Sequence, residues 1–283
     1  MSIEHGTLYV IATPIGNLED MGPRAGKVLQ GVDVILAEDT RTSQRLLRAY
    51  GIAKPLLAYH EHNERQLVDT VIRRLKAGKS VALISDAGTP LISDPGYHLT
   101  RAAHDAGIRL ISVPGPCAAV AALAASGLPA DRFSFEGFLP AKAAARRQRL
   151  KELHQEPRTM VFYEAPHRVM DSLADMAAIL GAGRRACLAK EISKLHETVY
   201  ADTLERIRQW LEESEERRKG EFVIAVEGAH PSEKTPEGIE AQRVLEALLK
   251  YLPPSQASAA ASEITGVPKN SLYRLAIEIR ARR

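Results

Sequence analysis

Apolar runs of four to six residues recur along the chain, each closed by glycine, proline or a polar cluster, and each separated from the next by a longer stretch of mixed pattern. Short continuous apolar runs of this kind predict strands buried on both faces, and the mixed stretches predict helices. In the first half the strands are Leu8–Ala12, Val32–Ala37, Leu56–Tyr59, Val81–Ile84 and Arg109–Val113. Helices are expected over Pro23–Gln30, Thr42–Tyr50, Glu64–Ala77 and Tyr97–Ala106, with Gly51 as a C-terminal stop. Regular strand–helix alternation implies a largely parallel sheet with right-handed crossovers. A small-residue helix, Ala118–Ser126, follows Pro114-Gly115-Pro116-Cys117.

A second α/β unit begins at Phe133–Pro140. Its further strands are Thr159–Tyr163, Arg185–Ala189, Glu197–Ala201 and Phe222–Val226; its helices are Lys142–Lys151, Val169–Leu180 and Leu204–Glu216. His230–Gly238, rich in Pro, Lys and Glu, reads as a linker. Three helices close the chain, Glu240–Tyr251, Ser255–Thr265 and Ser271–Arg282, and the turn Gly266–Asn270 gives the last two a helix-turn-helix look. The end is basic, with Arg280, Arg282 and Arg283. The pattern divides the chain into 1–116, 117–229 and 230–283.

The loop Ser85-Asp86-Ala87-Gly88-Thr89-Pro90-Leu91-Ile92-Ser93-Asp94-Pro95-Gly96 follows the strand Val81–Ile84. Two glycines and two prolines exclude a helix or a paired strand there and let backbone polar groups approach a ligand. Other strand ends carry similar loops: Thr13–Leu18, Glu38-Asp39-Thr40-Arg41, His60–Glu64, Pro114–Cys117 and Glu164–Arg168. Ligands of open α/β sheets bind beyond such carboxyl ends. Thr13–Leu18 holds one glycine, which disfavours a dinucleotide fingerprint.

Composition adds mostly exclusions. A net charge of +3 is mild, so nucleic-acid contact has to come from local clusters, of which Lys142–Lys151, with five basic groups and no acid, is the strongest. Cys117 and Cys187 lie far apart, against a disulfide framework or structural zinc and in keeping with a reducing compartment. Cys117 reads as a small packing residue, with no base near it in sequence. His60 and His62 have no evident third ligand, so no metal is expected. No signal peptide is expected, and no apolar stretch approaches the roughly 20 residues of a membrane span.

Eight motifs, in order between residues 7 and 226, resemble the tetrapyrrole methylase superfamily. They are Thr13–Leu18, Glu38–Arg41, His60–Glu64, Ser85–Gly96, Pro114–Ala119, Glu136–Pro140, Phe162–Arg168 and Arg218–Glu221. The resemblance is closest to its ribosomal branch, whose members methylate a cytidine ribose 2′-hydroxyl of 16S rRNA. It implies two α/β domains with S-adenosylmethionine (SAM) in the cleft between them, plus a small C-terminal helical domain. It places cofactor contacts at Pro14, Asp86, Ala87, Gly88, Ile92, Cys117 and Ala118 of the first half, and at Tyr163, Glu164, Ile192 and Phe222 of the second. Tetrapyrrole-type members carry Tyr-Asp where this chain has Glu38-Asp39, and methionine where it has Glu164, which favours a polar substrate.

The implied reaction is methyl transfer to a ribose hydroxyl, which needs a proton acceptor. Asp39 and Glu38 are the candidate acceptors, and Arg41 and Lys190 the candidates for orienting phosphate or hydroxyl oxygens. Asp39 reads equally well as a cap for the helix that follows. RNA contact is expected at Lys142, Arg146, Arg147, Arg149, Arg217, Arg218 and Arg274. A homodimer acting on the 30S subunit in the cytoplasm is implied, with no membrane partner. A tetrapyrrole C-methyltransferase and a nucleic-acid-binding regulator are the competing readings.

Overall fold

The computed structural model describes residues 3–229 and 236–281. Most of the expected linker, 230–235, and the basic Arg282 and Arg283 lie outside the described residues.

The first sheet joins β1 (Thr7–Ile11), β2 (Val34–Ala37), β3 (Leu56–Ala58), β4 (Val81–Ile84) and β5 (Arg109–Val113) in the order β3-β2-β4-β1-β5, every pair parallel. The four helices between the strands are α1 (Pro23–Gly31), α2 (Thr40–Ala49), α3 (Glu64–Lys76) and α4 (Tyr97–Asp105). Alternate residues of the strands feed two cores. Tyr9, Ile11, Ile35 and Ile84 meet Val28 and Leu29 of α1 and Leu47 of α2. Leu8, Leu36, Val81 and Leu83 meet Val71 and Leu75 of α3 and Leu99 of α4. The chain therefore leaves β1 over one face and β4 over the other. Neighbouring strands whose crossovers part in this way open a crevice at their carboxyl ends.

The second sheet contains β6 (Phe133–Phe138), β7 (Thr159–Glu164), β8 (Arg185–Lys190), β9 (Thr198–Thr203) and β10 (Phe222–Val226) in the order β6-β7-β10-β8-β9. The parallel arrangement expected and found in the first sheet does not extend to this one. Only β6 and β7 pair in parallel; β10 runs antiparallel to both neighbours, and β9 antiparallel to β8. The seven residues between β8 and β9 are too few for the dozen or more that a parallel return requires. One face of this sheet is covered by α6 (Ala143–Glu152), α7 (Val169–Leu180) and α8 (Leu204–Glu212) around Phe162, Leu173, Met176 and Ile224. The other is covered by α5 (Ala118–Ala125), whose Ala119, Ala122 and Leu123 pack on Val161, Cys187 and Val223. Helix α8 stops four residues before its expected end, and a 3-10 turn, Glu215–Arg218, turns the chain into β10.

The terminal helices α9 (Pro236–Leu248), α10 (Pro254–Thr265) and α11 (Lys269–Ala281) share their own core of Leu245, Ala257, Ala261, Leu272 and Ala276. Gly266, left-handed at φ 72°, ends α10 and makes the turn between the last two helices.

Candidate functional site

The crevice of the first sheet is closed into a scaffold by three loops. The Thr13 N–H donates to the Gly88 carbonyl at 2.9 Å and the Thr13 carbonyl accepts in return from the Gly88 N–H at 3.1 Å, which ties the end of β1 to the loop after β4. The Thr13 hydroxyl donates to the Ser85 carbonyl at 3.1 Å. The Thr89 hydroxyl donates to the Pro116 carbonyl at 2.9 Å, which adds the loop after β5. At the far end of the β4 loop the Glu64 carboxylate accepts the Gly96 N–H at 3.1 Å. Between these anchors Leu91 and Ser93 hold the left-handed backbone at φ 74° and 68°. Non-glycine residues keep such angles only where the surroundings impose them.

The second sheet supplies the facing wall. Because β10 is antiparallel, its first residue, Phe222, is level with Glu164 at the end of β7 and Lys190 at the end of β8. Past β8 the chain again takes left-handed angles at two non-glycine residues, Glu191 and Ser193. This loop crosses to the first domain: the Ser193 hydroxyl hydrogen-bonds Asp20, and a Cβ on Gly16 would lie 2.3 Å from Lys194 Cγ.

Between the two walls lies a cavity of about 400 Å³. That volume suits a small-molecule ligand. Of the residues expected to contact a cofactor, Asp86, Ala87, Gly88 and Ile92 line it from the first domain. Ala118, Tyr163, Glu164, Ile192 and Phe222, from the same set, line it from the second unit. Cys117 lines a neighbouring cavity with Ile15 and Ile192. Pro14 is buried and lines neither. The wall also includes Ser93, Asp94 and Phe138, residues of quoted motifs to which the sequence reading gave no role.

None of the four candidate catalytic residues lines the cavity. Asp39 caps α2: its carboxylate accepts the Arg41 N–H at 2.7 Å, and its own N–H donates to Asp86 at 3.0 Å. The cap bond, and then the Arg41 side chain, hold the Asp39 carboxyl below its ordinary range. That is the wrong direction for a proton acceptor, and the capping reading of Asp39 prevails. Arg41 is 88% exposed. Lys190 donates to the Glu216 carbonyl at 2.6 Å. Glu38 moves the other way, raised by burial and then by the negative charges of Asp94, Asp86 and Glu61. Asp94 is pushed up to about 6, first by burial, against a stabilising bond from Ser85, and further by Asp86. Asp86 is raised by partial burial, against the stabilising bond from the Asp39 N–H, and less by the Asp39 charge. An aspartate that titrates near neutrality at a cavity wall is suited to proton transfer. Nothing in the local pattern marks Asp94 out, because its shift comes from what tertiary folding places around it.

Glu164 is 3% exposed, yet fully engaged. Its carboxylate meets Arg168 at 3.2 Å, accepts from the Ser172 hydroxyl and takes the Ala165 N–H at 2.8 Å.

The expected RNA surface needs one correction. Arg146 is 4% exposed and pairs with Asp175 at 2.7 Å, so it is a structural residue beneath α6 and not a contact for RNA. A helical turn puts every third or fourth residue inward, and Arg146 shares that face with buried Leu150. Lys142 and Arg147 are exposed. Arg149 is bound by Glu136 and Glu152, at 2.8 and 3.0 Å. Arg217 lies over the Trp210 ring, 4.6 Å from its centroid. Arg218 is half-buried, and Arg274 approaches Glu227 at 3.9 Å. Among the described residues no group of three or more His, Cys, Asp or Glu is placed to hold a metal, and no helix is long and apolar enough to cross a membrane.

Two linked α/β domains with a cavity between them define a known class of methyltransferase fold. Diphthine synthase matches with a TM-score of 0.58 at 14% identity, over 78% of this chain and 89% of that one. Uroporphyrin-III-C-methyltransferase from Thermus thermophilus matches at 0.53 and 19% identity, over 78% and 94%. The model of the Tetrapyrrole (Corrin/Porphyrin) Methylases matches residues 7–208, and the chain belongs to that family of methyltransferases. A second model, described as the RsmI C-terminal HTH domain, matches residues 235–280. Among curated relatives, the Ribosomal RNA small subunit methyltransferase I of Pseudomonas aeruginosa is 55% identical, covering 96% of this chain and 97% of its own length. That of Escherichia coli O157:H7 is 51% identical, covering 96% and 95%. That of Synechocystis is 44% identical, covering 98% and 99%.

Proposed function

We propose that this methyltransferase moves a methyl group from SAM to the ribose 2′-hydroxyl of a cytidine in 16S rRNA, acting on the 30S subunit in the cytoplasm as a homodimer. The observation that carries the reading is near-full-length similarity to relatives named for small-subunit ribosomal RNA, C-terminal helices included.

The cavity fits SAM. Ile92, Ile192 and Phe222 give apolar wall for an adenine, while Asp86 and Asp94 put negative charge beside a cationic ligand. Gly88 keeps the loop thin where a Cβ would meet Ile15 at 3.3 Å. When bound, SAM supplies an electrophilic methyl group on a sulfonium. The protein's part is to align the hydroxyl oxygen with that carbon and to take its proton. Asp94 is the proton acceptor, and the charge of Asp86 adds to its raised pKa. Arg41 and Lys190 lie outside the cavity wall, where RNA phosphates pass. Lys142, Arg147, Arg218 and Arg274 extend this hold on RNA.

The test is transfer of labelled methyl from SAM to purified unmodified 30S subunits, with nuclease mapping. Label in 2′-O-methylcytidine supports the reading; label only in a tetrapyrrole overturns it. Sedimentation at micromolar concentration reports the dimer. Reversing Lys142 and Arg147 to Glu is expected to flatten the salt dependence of 30S affinity, by about 0.7–0.9 in log–log slope per lost contact. An unchanged slope removes α6 from the RNA surface.

A further inference from the structure

Phe138 is a large apolar side chain left 53% exposed at the wall of a cavity whose other aromatic walls are covered. A bulge puts it there. In β6, Phe135 pairs with Val161, but the register then slips, and Gly137 and Phe138 pair with Phe162 and Tyr163. Val161 and Tyr163 share one face of β7, so the extra residue brings Phe135 and Phe138 onto that same face although they are three apart. Without it Phe138 would point to the opposite side. The bulge runs through Gly137 at φ 64°, beside Ser93 of the first domain, to whose hydroxyl a Cβ on Gly137 would come within 3.5 Å.

The ring is held by a neighbouring aromatic. Tyr163 meets Phe138 in a T-shaped contact at 5.6 Å and Phe135 in another at 4.9 Å. Tyr163 is fixed in turn, its hydroxyl accepting the Ala119 N–H at 3.2 Å. The next residue, Leu139, is buried, and its carbonyl is bound by Arg168. Phe138 is thus a preorganised aromatic at the cavity mouth, close to the Ser93–Asp94 loop. Hydrophobic burial does not account for it, since half its surface remains in water.

We infer that Phe138 is the stacking platform for the unpaired nucleobase of the target nucleotide. The inference rests on the proposed function: a ribose can enter the cleft only if its nucleotide is drawn out of the RNA stack, and splayed bases are received on aromatic faces. A base stacked on Phe138 presents its ribose toward the side of the cavity that holds Asp94. The platform supplies affinity and orientation; it does not read base identity, because every base has a π-face.

The experiment compares wild type with Phe138→Ala, Phe138→Leu and Phe138→Trp, measuring three quantities: SAM affinity, KM for unmodified 30S, and binding of a cytidine-containing single-stranded RNA oligonucleotide to the protein with S-adenosylhomocysteine. The Ala and Leu variants are expected to raise KM and weaken oligonucleotide binding about tenfold or more, with SAM affinity within about twofold of wild type, and the Trp variant to restore both RNA readouts. A Leu variant that behaves as wild type overturns the platform, because apolar bulk then suffices. So does an Ala variant whose SAM affinity falls as far as its RNA affinity, because the ring then serves the cofactor. A wild-type protein that labels no RNA overturns the proposed function alone; oligonucleotide binding still decides the platform by the same comparison.

Discussion

The two domains each offer one strained loop to the cavity, and the loops are built alike but charged differently. After β4, Leu91 and Ser93 are left-handed; after β8, Glu191 and Ser193 are. The first loop puts acid beside acid: Asp94, Asp86 and Glu38 are each raised first by burial, Asp86 and Asp94 raise Glu38 further, and Asp86 raises Asp94. The second loop pairs acid with base. Burial raises Glu191, but its bonds to Lys194 and to the Glu221 N–H bring it below its ordinary value. Lys194 reaches Glu191 at 2.8 Å and Glu221 at 3.1 Å. Carboxyls raised in this way cost stability once ionised, and Asp94, at about 6, can exchange its proton close to neutrality. Paired ones hold shape. Under the proposed function the first loop is the reactive side of the site, and the second is its brace.

The sharpest way to break this contrast is Asp94→Asn. It is expected to lower single-turnover methyl transfer by about 10²–10⁴-fold, the range for a lost proton acceptor. Wild-type activity should rise with pH through about 6, where Asp94 loses its proton, and the variant should lose that limb. Stability has the opposite sign. An acid whose folded pKa lies above its unfolded value weakens the fold as pH rises between the two, here from about 4 to about 6. Asp94→Asn should therefore raise the denaturation midpoint at pH 7 and leave it unchanged at pH 3. A variant that is inactive and also less stable at pH 7 would make Asp94 a structural residue.

The bracing side should fail through stability. Arg168→Ala strands the buried Glu164 carboxylate, and breaking such a pair costs about 3–5 kcal/mol in urea unfolding. Gly220→Ala is next. Its backbone is left-handed at φ 98°, and a Cβ would come within 2.7–2.8 Å of the Glu191 side chain. About 1–3 kcal/mol is expected, read from the same unfolding curves. Lys194→Ala should do least, under about 1 kcal/mol, since its ion pairs are partly exposed to solvent. If Lys194→Ala shifted the pH–rate profile as strongly as Asp94→Asn, the two loops would not divide the work as argued.

Much of this was legible from the chain. The runs Leu8–Ala12 and Val81–Ile84 were strands in either reading, because four or more buried apolar residues bounded by Gly and Pro leave little choice. The loops at the ends of β1, β4 and β5 were recognisable because special backbone angles demand glycine and proline locally, and those loops do converge. Nine of the eleven expected cofactor residues line one cavity for the same reason. Arg146 misled because a basic run reads as solvated until a partner is known, and Asp175, 29 residues away, is that partner.

The sequence by itself determined the elements, their order and the ligand-facing loops, since these follow from hydrophobic period and local turn chemistry. Tertiary structure alone decided three things. It inserted β10 antiparallel between β7 and β8, which brought Phe222 to the site. It slipped the register at Gly137, which turned Phe138 toward the cavity. It buried Asp94 beside Asp86 at the cavity wall, which raised the pKa of an aspartate that sequence leaves ordinary, and it brought Glu38 from another strand end under the same negative charges. Pairing partners, register and burial depend on residues remote in the chain, and no local pattern carries them.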